Sequence, residues 1–217
     1  MPLLTRILII GATVCLACAA GMAWLVINSE SREQAEPPLP PLVDIPSFNL
    51  IDQRGEPFGS DDLQGKVWIA SFTFTRCRGI CPKMNASMAQ VRDRLQNHPR
   101  WADIRLVGFS VDPEHDTPEI LSAYGKLWNA DPDHWKLLTG EKDTIWTLCE
   151  QGFKLPVEDT PEDQAMPILH SDRFVLVDAN LQARGYYSGL DKTELELLLL
   201  DIETVLNELP RRQGGKE

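Results

Sequence analysis

Two cysteines separated by three residues are the part of this sequence best suited to chemistry. Cys77 and Cys81 stand in the segment Ser71-Phe-Thr-Phe-Thr-Arg-Cys-Arg-Gly-Ile-Cys-Pro82, where an apolar run of strand type changes to a helical pattern. Pro82 is a favourable first helical residue, so we expect Cys81 at the N-cap, where the positive end of the helix dipole favours a thiolate. The segment therefore predicts either thiol redox chemistry or the binding of a soft metal ion.

The elements that must position these cysteines follow from the hydrophobic pattern. Residues 67–74 form an apolar run that indicates a buried central strand. The helix after Pro82 carries two methionines on one face, with Val91 and Leu95 following at helical spacing. Methionines in this pattern are more typical of core packing than of copper binding, so we interpret Met84 and Met88 as core residues.

The remaining pattern predicts an α/β fold with the order β-α-β-α-β-α-β-β-α. A short strand or hairpin is expected early, a polar loop late, and an amphipathic helix at the end. The predicted ranges are strands at 48–58, 104–111, 135–138, 174–177 and 183–187, helices at 117–127, 143–152 and 192–209, and the loop at 155–167. Together they predict a thioredoxin-like central sheet with helices on both faces.

A membrane anchor is predicted at residues 7–27. This stretch carries no charge and, as a helix, would span about 30 Å, the thickness of a bilayer core. Arg6 precedes it and acidic residues follow it, so the positive-inside rule places residues 1–6 in the cytoplasm. A cleaved signal peptide is the alternative, although the apolar stretch is longer than is usual for one.

The rest of the chain divides into a predicted linker, domain and tail. Residues 28–46 are acidic and proline-rich, which is typical of an extended tether, and residues 47–209 form the globular domain. Residues 210–217 are expected to be a flexible tail. We expect a bacterial inner-membrane protein with this domain in the periplasm, because the anchor begins too early to follow a mitochondrial transit segment. A formal charge of −11 argues against nucleic acid as a partner.

Four successive motifs resemble the landmarks of one known family. They are Phe72-Thr-Phe-Thr-Arg-Cys-Arg-Gly-Ile-Cys-Pro82, Phe109-Ser-Val-Asp-Pro-Glu-His-Asp-Thr-Pro118, Trp135-Lys-Leu-Leu-Thr-Gly140 and His170-Ser-Asp-Arg-Phe-Val-Leu-Val-Asp178. Their order and spacing are similar to those of the Sco/SenC family of membrane-anchored copper chaperones. The resemblance covers about residues 42–209.

The resemblance implies a thioredoxin-like fold and a copper site made of Cys77, Cys81 and His170. It also implies a role in assembling the dinuclear copper site of cytochrome c oxidase. The expected partners are the oxidase subunit that carries this site, together with other copper chaperones or thiol reductases. On this interpretation the protein is a metallochaperone and not an enzyme in the ordinary sense.

The same ligands can be argued from their chemistry. Two thiolates suit Cu(I), and the added imidazole nitrogen accommodates Cu(II). Zinc would accept the same ligands, but a structural zinc site normally has four. Three ligands leave one face of a copper ion open to an acceptor.

Two alternatives stay open on the residues alone. Cys77 and Cys81 could form a redox-active disulfide pair, in a thiol-disulfide reductase that keeps the oxidase copper-site cysteines reduced or in a redox sensor. Arg78 and Gly79 stand where the family commonly has a proline and an acidic residue. A cation at this position should lower the pKa of Cys77 and favour thiol exchange. His170 separates the hypotheses, because a dithiol reductase does not need it.

Other residues that could do chemistry are assigned structural roles. Cys149 lies on a predicted helix and is interpreted as a small buried hydrophobe. We expect Asp116 or Thr117 to cap the helix near residue 118, while the surrounding Asp-Pro loop could also order the segment beside the metal. The histidines that are given no ligand role are His98, His115 and His134.

Overall fold

The structure, a computed structural model, describes residues 18–22, 24, 38–163 and 167–210. The chain divides into two units, residues 1–38 and 39–217. Of the predicted anchor, only residues 18–22 and 24 are described, and these are helical. Among the residues that the structure describes, no helix combines the length and the apolar character needed to cross a membrane.

The second unit is a mixed α/β fold, which confirms the fold class predicted from the sequence. Its strands are β1 (Val43–Asp44), β2 (Asn49–Asp52), β3 (Pro57–Gly59), β4 (Val67–Thr73), β5 (Ile104–Ser110), β6 (Trp135–Thr139), β7 (Val157–Asp159), β8 (Ile168–His170), β9 (Arg173–Val177) and β10 (Gln182–Ser188). Its helices are α1 (Cys81–Leu95), α2 (Pro118–Leu127), α3 (Lys142–Thr147) and α4 (Lys192–Glu208), and a π-helical turn (Leu148–Gly152) continues α3.

Eight strands form the main sheet in the order β1-β10-β9-β4-β5-β6-β2-β3. The central strands β4, β5 and β6 are parallel, and the other neighbours are antiparallel. The helices α1 and α2 make the two crossover connections that a parallel arrangement requires. As a result, the carboxyl ends of β4 and β5 lie at the same edge of the sheet.

The central strand β4 carries the core on both of its faces. All seven of its residues are buried, because neighbouring strands flank it and packed layers cover it above and below. Trp68 and Phe72 contribute to one apolar layer, and Val67 and Ile69 to the other. The second layer also contains the α1 residues predicted to be core, namely Met84, Met88, Val91 and Leu95.

The folded unit begins before the predicted boundary at residue 47. Strand β1 pairs with β10, and the Leu42 amide donates to the Ala183 carbonyl at 2.8 Å. Ile45 is buried in the core. The apolar residues after the proline cluster thus supply a short edge strand, a pairing that composition alone does not reveal.

The segment predicted as a polar loop at residues 155–167 contains part of a second, two-stranded sheet. Strand β7 pairs with β8 in antiparallel register, with Val157 opposite His170 and Asp159 opposite Ile168. The prediction of a plain loop was wrong here because both strands are only three residues long. This ribbon holds His170 in place.

A buried ion cluster fixes the end of the sheet at which β10 begins. Arg184 donates to Asp178 at 2.9 Å and to Glu208 of α4 at 2.7 Å. Its guanidinium also donates to the Leu39 carbonyl. The side chains of Arg184 and Asp178 are only 6% and 5% exposed, so removing the cation would leave a buried carboxylate without its partner.

We expect Arg184→Ala to lower the free energy of unfolding by about 3 kcal/mol, because Asp178 would remain buried without its ion partner. Urea unfolding followed by circular dichroism measures this change. Arg94→Ala is the matched control, since its ion pair with Glu196 is exposed and should contribute little. Equal unfolding midpoints for the two variants would contradict the prediction.

Candidate metal centre

The predicted ligand residues converge at the carboxyl edge of the central strands. Strand β4 ends at Thr73, the following loop carries Cys77, and α1 begins at Cys81. His170 is the last residue of β8. The structure brings the two sulfurs and one imidazole nitrogen within 4.8 Å of one another.

All three side chains are shielded from solvent. The exposed fractions are 5% for Cys77, 0% for Cys81 and 4% for His170. The two sulfurs are not joined by a disulfide. Burial of three donor atoms in one cluster is costly unless they bond to one another or to a shared ligand.

Cys81 is the first residue of α1, and Ile80 occupies the N-cap. The predicted N-cap position of Cys81 was therefore wrong by one residue. Ile80 cannot cap with its side chain, and the helix begins without a side-chain cap. Backbone N–H groups at this end thus remain available to the sulfur of the preceding loop.

The pKa of Cys77 is lowered, as predicted, whereas that of Cys81 is raised, contrary to the prediction from its place at the helix start. A hydrogen bond with the Cys81 thiol lowers the pKa of Cys77 to about 4, and hydrogen bonds with His170 and with the backbone N–H groups of Cys81 and Gly79 contribute. The same bond and burial raise the pKa of Cys81 above its usual value. One proton shared between two close sulfurs explains these opposite directions.

The predicted influence of Arg78 does not account for this shift. Its side chain is exposed, and the groups that favour the Cys77 thiolate are the Cys81 thiol, His170 and backbone N–H groups. An exposed guanidinium is screened by solvent and acts weakly on a buried sulfur.

His170 directs one ring nitrogen at the sulfurs and the other at the backbone. Its Nδ1 lies 3.0 Å from the carbonyl oxygen of Ser171, which can only accept a hydrogen bond. Nδ1 therefore carries a proton, and Nε2 faces the Cys81 sulfur at 3.1 Å. The ring of Phe74 packs edge-on against the imidazole at a centroid distance of 5.7 Å.

The Asp-Pro loop after β5 supports the segment that leads to Cys77. Thr117 caps α2 by accepting from the Ile120 amide at 3.4 Å, whereas Asp116 does not act as the cap. The Asp116 carboxylate accepts instead from Thr75 and Ser110. Sequence reasoning raised this ordering role for the loop but did not single out Thr75.

A second supporting residue, Asn85, was missed from the sequence. Its side-chain nitrogen lies 3.0 Å from the Cys81 carbonyl oxygen, 3.3 Å from Thr73 Oγ1 and 2.8 Å from Tyr124 Oη. A buried Asn one turn after a helix-starting cysteine was the available signal. Its contacts tie the first turn of α1 to β4 and α2.

The remaining cysteine and histidines of the domain lie outside the cluster. Cys149 is fully buried, its sulfur donates to the Leu155 carbonyl at 3.5 Å, and burial raises its pKa to about 12. His115 is exposed, His98 approaches Glu203, and His134 stacks on a tryptophan. These positions agree with the structural roles predicted from the sequence.

The donor set fits a metal ion with short bonds. Bonds of about 2.0–2.3 Å require ligand atoms that are at most about 4.6 Å apart. The three ligand atoms all lie within 4.8 Å of one another, and Cys81 Sγ and His170 Nε2 are 3.1 Å apart, so the separations are close to this range. Two sulfurs and one imidazole favour soft or intermediate ions over magnesium or calcium.

Comparison with known proteins shows the family to which this chain belongs. Residues 41–207 match the family model described as SCO1/SenC. The chain belongs to the SCO1/SenC family. Among the curated relatives, the SCO1 protein homolog of Bacillus subtilis is 30% identical over 187 residues, which are 85% of this chain and 93% of the relative.

Solved structures of Sco proteins share this fold. BsSco, described as having a disulfide switch and as a member of the Sco family of cytochrome c oxidase assembly proteins, is 28% identical with a TM-score of 0.69. The match covers 78% of this chain and 98% of BsSco. Arabidopsis thaliana ScoI, solved with copper bound, is 24% identical with a TM-score of 0.63, and the match covers 75% of this chain and 99% of that one.

We expect the reduced, metal-free protein to show one thiolate that titrates near pH 4, because Cys77 has the lowered pKa. The thiolate should be present at pH 6 and should disappear as the pH falls through about 4. Ultraviolet absorbance of the thiolate measures this transition. Cys77→Ser should remove it, and Cys149→Ser should leave it unchanged. A midpoint near 8.5, the ordinary value for cysteine, would contradict the assignment.

Proposed function

We propose that this protein is a copper metallochaperone that delivers copper to the dinuclear copper site of cytochrome c oxidase. The observation that carries the proposal is the buried convergence of Cys77, Cys81 and His170 at one edge of a thioredoxin-like sheet. The copper-bound ScoI neighbour and the assembly role named for BsSco support the choice of metal and partner.

The three residues differ in how far each is ready to bind copper before the metal arrives. Cys77 already favours the thiolate, and His170 points its Nε2 at the sulfurs. Cys81 must lose its proton when the metal binds, so binding would release one proton and tighten as the pH rises. The imidazole lets the same set accommodate both Cu(I) and Cu(II).

Three protein ligands also suit release to another protein. A thiolate of the acceptor can bond to the copper before a bond to Cys77 or Cys81 breaks, so free ion need not form. The leaving sulfur then takes up a proton or stays a thiolate that accepts a hydrogen bond from the other cysteine's thiol. This exchange requires an accessible approach to the ion, and Arg78 and Gly79, in the loop between the two cysteines, are exposed and could allow it.

A second function, thiol-disulfide reduction, is favoured by the unequal cysteine pair. The Cys77 thiolate would attack a disulfide of the oxidase subunit and form a mixed disulfide, releasing one client thiolate. Cys81, after losing its proton, would then attack Cys77. The client would leave with both of its cysteines reduced, and Cys77 and Cys81 would remain joined by a disulfide. An external dithiol would have to reduce this disulfide before the next cycle.

Anaerobic copper titration of the reduced protein tests the first proposal. We expect one copper ion per chain, with sulfur-to-Cu(II) charge-transfer bands. Cys77→Ser, Cys81→Ser and His170→Ala should each weaken binding at least tenfold, because each removes one of three ligands. His115→Ala is the control, since that imidazole is exposed in a neighbouring loop, and it should bind like the parent.

His170→Ala also separates the two functions. If the parent binds no tight copper and the cysteine pair cycles equally well in His170→Ala, the metallochaperone proposal fails and the reductase becomes the working function. If His170→Ala loses copper but still reduces a model disulfide, both activities share the cysteines and copper depends on the imidazole.

We further propose that the domain lies in the periplasm, held to the bacterial inner membrane by an anchor at residues 7–27. The uncharged stretch and the charges that flank it support this orientation. Fusions to alkaline phosphatase after residues 40 and 217 should both be active, and the protein should fractionate with membranes. Inactive fusions would reverse the orientation, and recovery in the soluble fraction would indicate cleavage.

A further inference from the structure

We propose that Asp116 is a positioning residue for the cluster, which fixes the loop carrying Cys77 so that its sulfur stays beside Cys81 and His170. This inference deepens the proposed function and rests on it for the role of copper. The placement of the loop can be tested without the metal.

Asp116 is a fully buried carboxylate whose contacts all lie within this edge of the sheet. It accepts from the Thr75 amide at 3.0 Å, from Thr75 Oγ1 at 2.5 Å and from Ser110 Oγ at 2.6 Å. Burial raises its pKa, and the hydrogen bonds from Ser110 and Thr75 oppose this shift. A buried carboxylate is costly, and none of its hydrogen bonds serves as a helix cap.

The residue that Asp116 holds lies two positions before Cys77. Phe74, on one side of Thr75, is fully buried in the core. Arg76, on the other side, donates to Asp112 at 2.7 Å. The backbone of the loop is therefore fixed immediately before it reaches Cys77, whose own amide makes only a long bond of 3.4 Å to the Phe74 carbonyl.

The loop that presents Asp116 is itself preorganised. The amides of His115 and Asp116 donate to the Asp112 carbonyl at 3.0 and 2.9 Å. Ser110 Oγ accepts from the Asp112 amide at 3.2 Å while it donates to Asp116. These bonds attach the Asp116 carboxylate to the end of β5, which is the parallel neighbour of β4. The position of the Cys77 loop is therefore fixed relative to the sheet.

Capping is the competing explanation for an acid at this position. Thr117 already accepts from the Ile120 amide, so the helix does not need Asp116. The two hydrogen bonds that Asp116 accepts from Thr75 indicate that it holds the loop before Cys77. Hydrogen-bonded groups of this kind around a metal site commonly change metal affinity by 10–100-fold when they are removed.

The first measurement is the equilibrium between the Cys77–Cys81 disulfide and glutathione. In Asp116→Asn, one acceptor oxygen becomes an NH₂ group, which cannot accept from Thr75 or Ser110. We expect the effective concentration of the two thiols to fall about tenfold, which shifts the reduction potential about 30 mV toward less negative values. Thr75→Val should shift it in the same direction, and Thr75→Ser should restore the value of the parent.

The second measurement is copper affinity in the same variants. We expect Asp116→Asn and Thr75→Val to bind copper at least tenfold more weakly than the parent, with a changed charge-transfer spectrum. Asp178→Asn is the matched control, because it alters a buried, hydrogen-bonded carboxylate near the opposite end of β9. It should lower stability while leaving the potential and the spectrum unchanged.

The two measurements separate the two proposals. If the parent binds no copper, the proposed function fails, and the disulfide potential still decides the role of Asp116. A potential and spectrum in folded Asp116→Asn equal to those of the parent would overturn the inference. The inference would also be overturned if Asp178→Asn shifted the potential and the spectrum by as much as Asp116→Asn, because the effect would then be one of general stability.

Discussion

The shared proton between Cys77 and Cys81 is the interaction on which the rest of this site depends. Without a bound cation, two neighbouring buried sulfurs do not readily both carry a charge, so one favours the thiolate and the other the thiol. The arrangement requires a short loop between a fixed strand end and a fixed helix start. Strand β4, buried on both faces, supplies the first, and α1, packed through its methionine face, supplies the second.

The site also depends on parts of the chain that are distant in sequence. His170 reaches the sulfurs because β7 and β8 form a small ribbon beside the main sheet. Asp116 reaches the loop because β5 is the parallel neighbour of β4, so that residues after both strands meet at one edge. Each supporting contact therefore follows from the strand order, and the local sequence around the cysteines supplies only two of the three donor atoms.

Much of the fold could be predicted from the sequence because its signals are local. The apolar run of β4, the proline after Cys81 and the helical spacing of Met84 and Met88 each depend on neighbouring residues only. The features that escaped prediction depend on pairing. Strands β1, β7 and β8 have two or three residues each, too few for a periodic signal, and the contact of Thr75 with Asp116 joins residues that are 41 positions apart. The raised pKa of Cys81 escaped prediction for the same reason, since it is set by the Cys77 side chain and by burial, which the sequence does not give.

The attachment of Leu39 to Arg184 has a mechanical consequence. The start of β10 lies beside the end of β9, whereas Cys77 and His170 lie near the start of β9, about five residues or about 17 Å away along the strands. Tension on the chain ahead of Leu39 would be taken up by the pairing of β1 with β10 and by the buried guanidinium. The load would bypass the cysteine loop, so the domain could be pulled or reoriented from its N-terminal side without distorting the geometry of its three donor atoms.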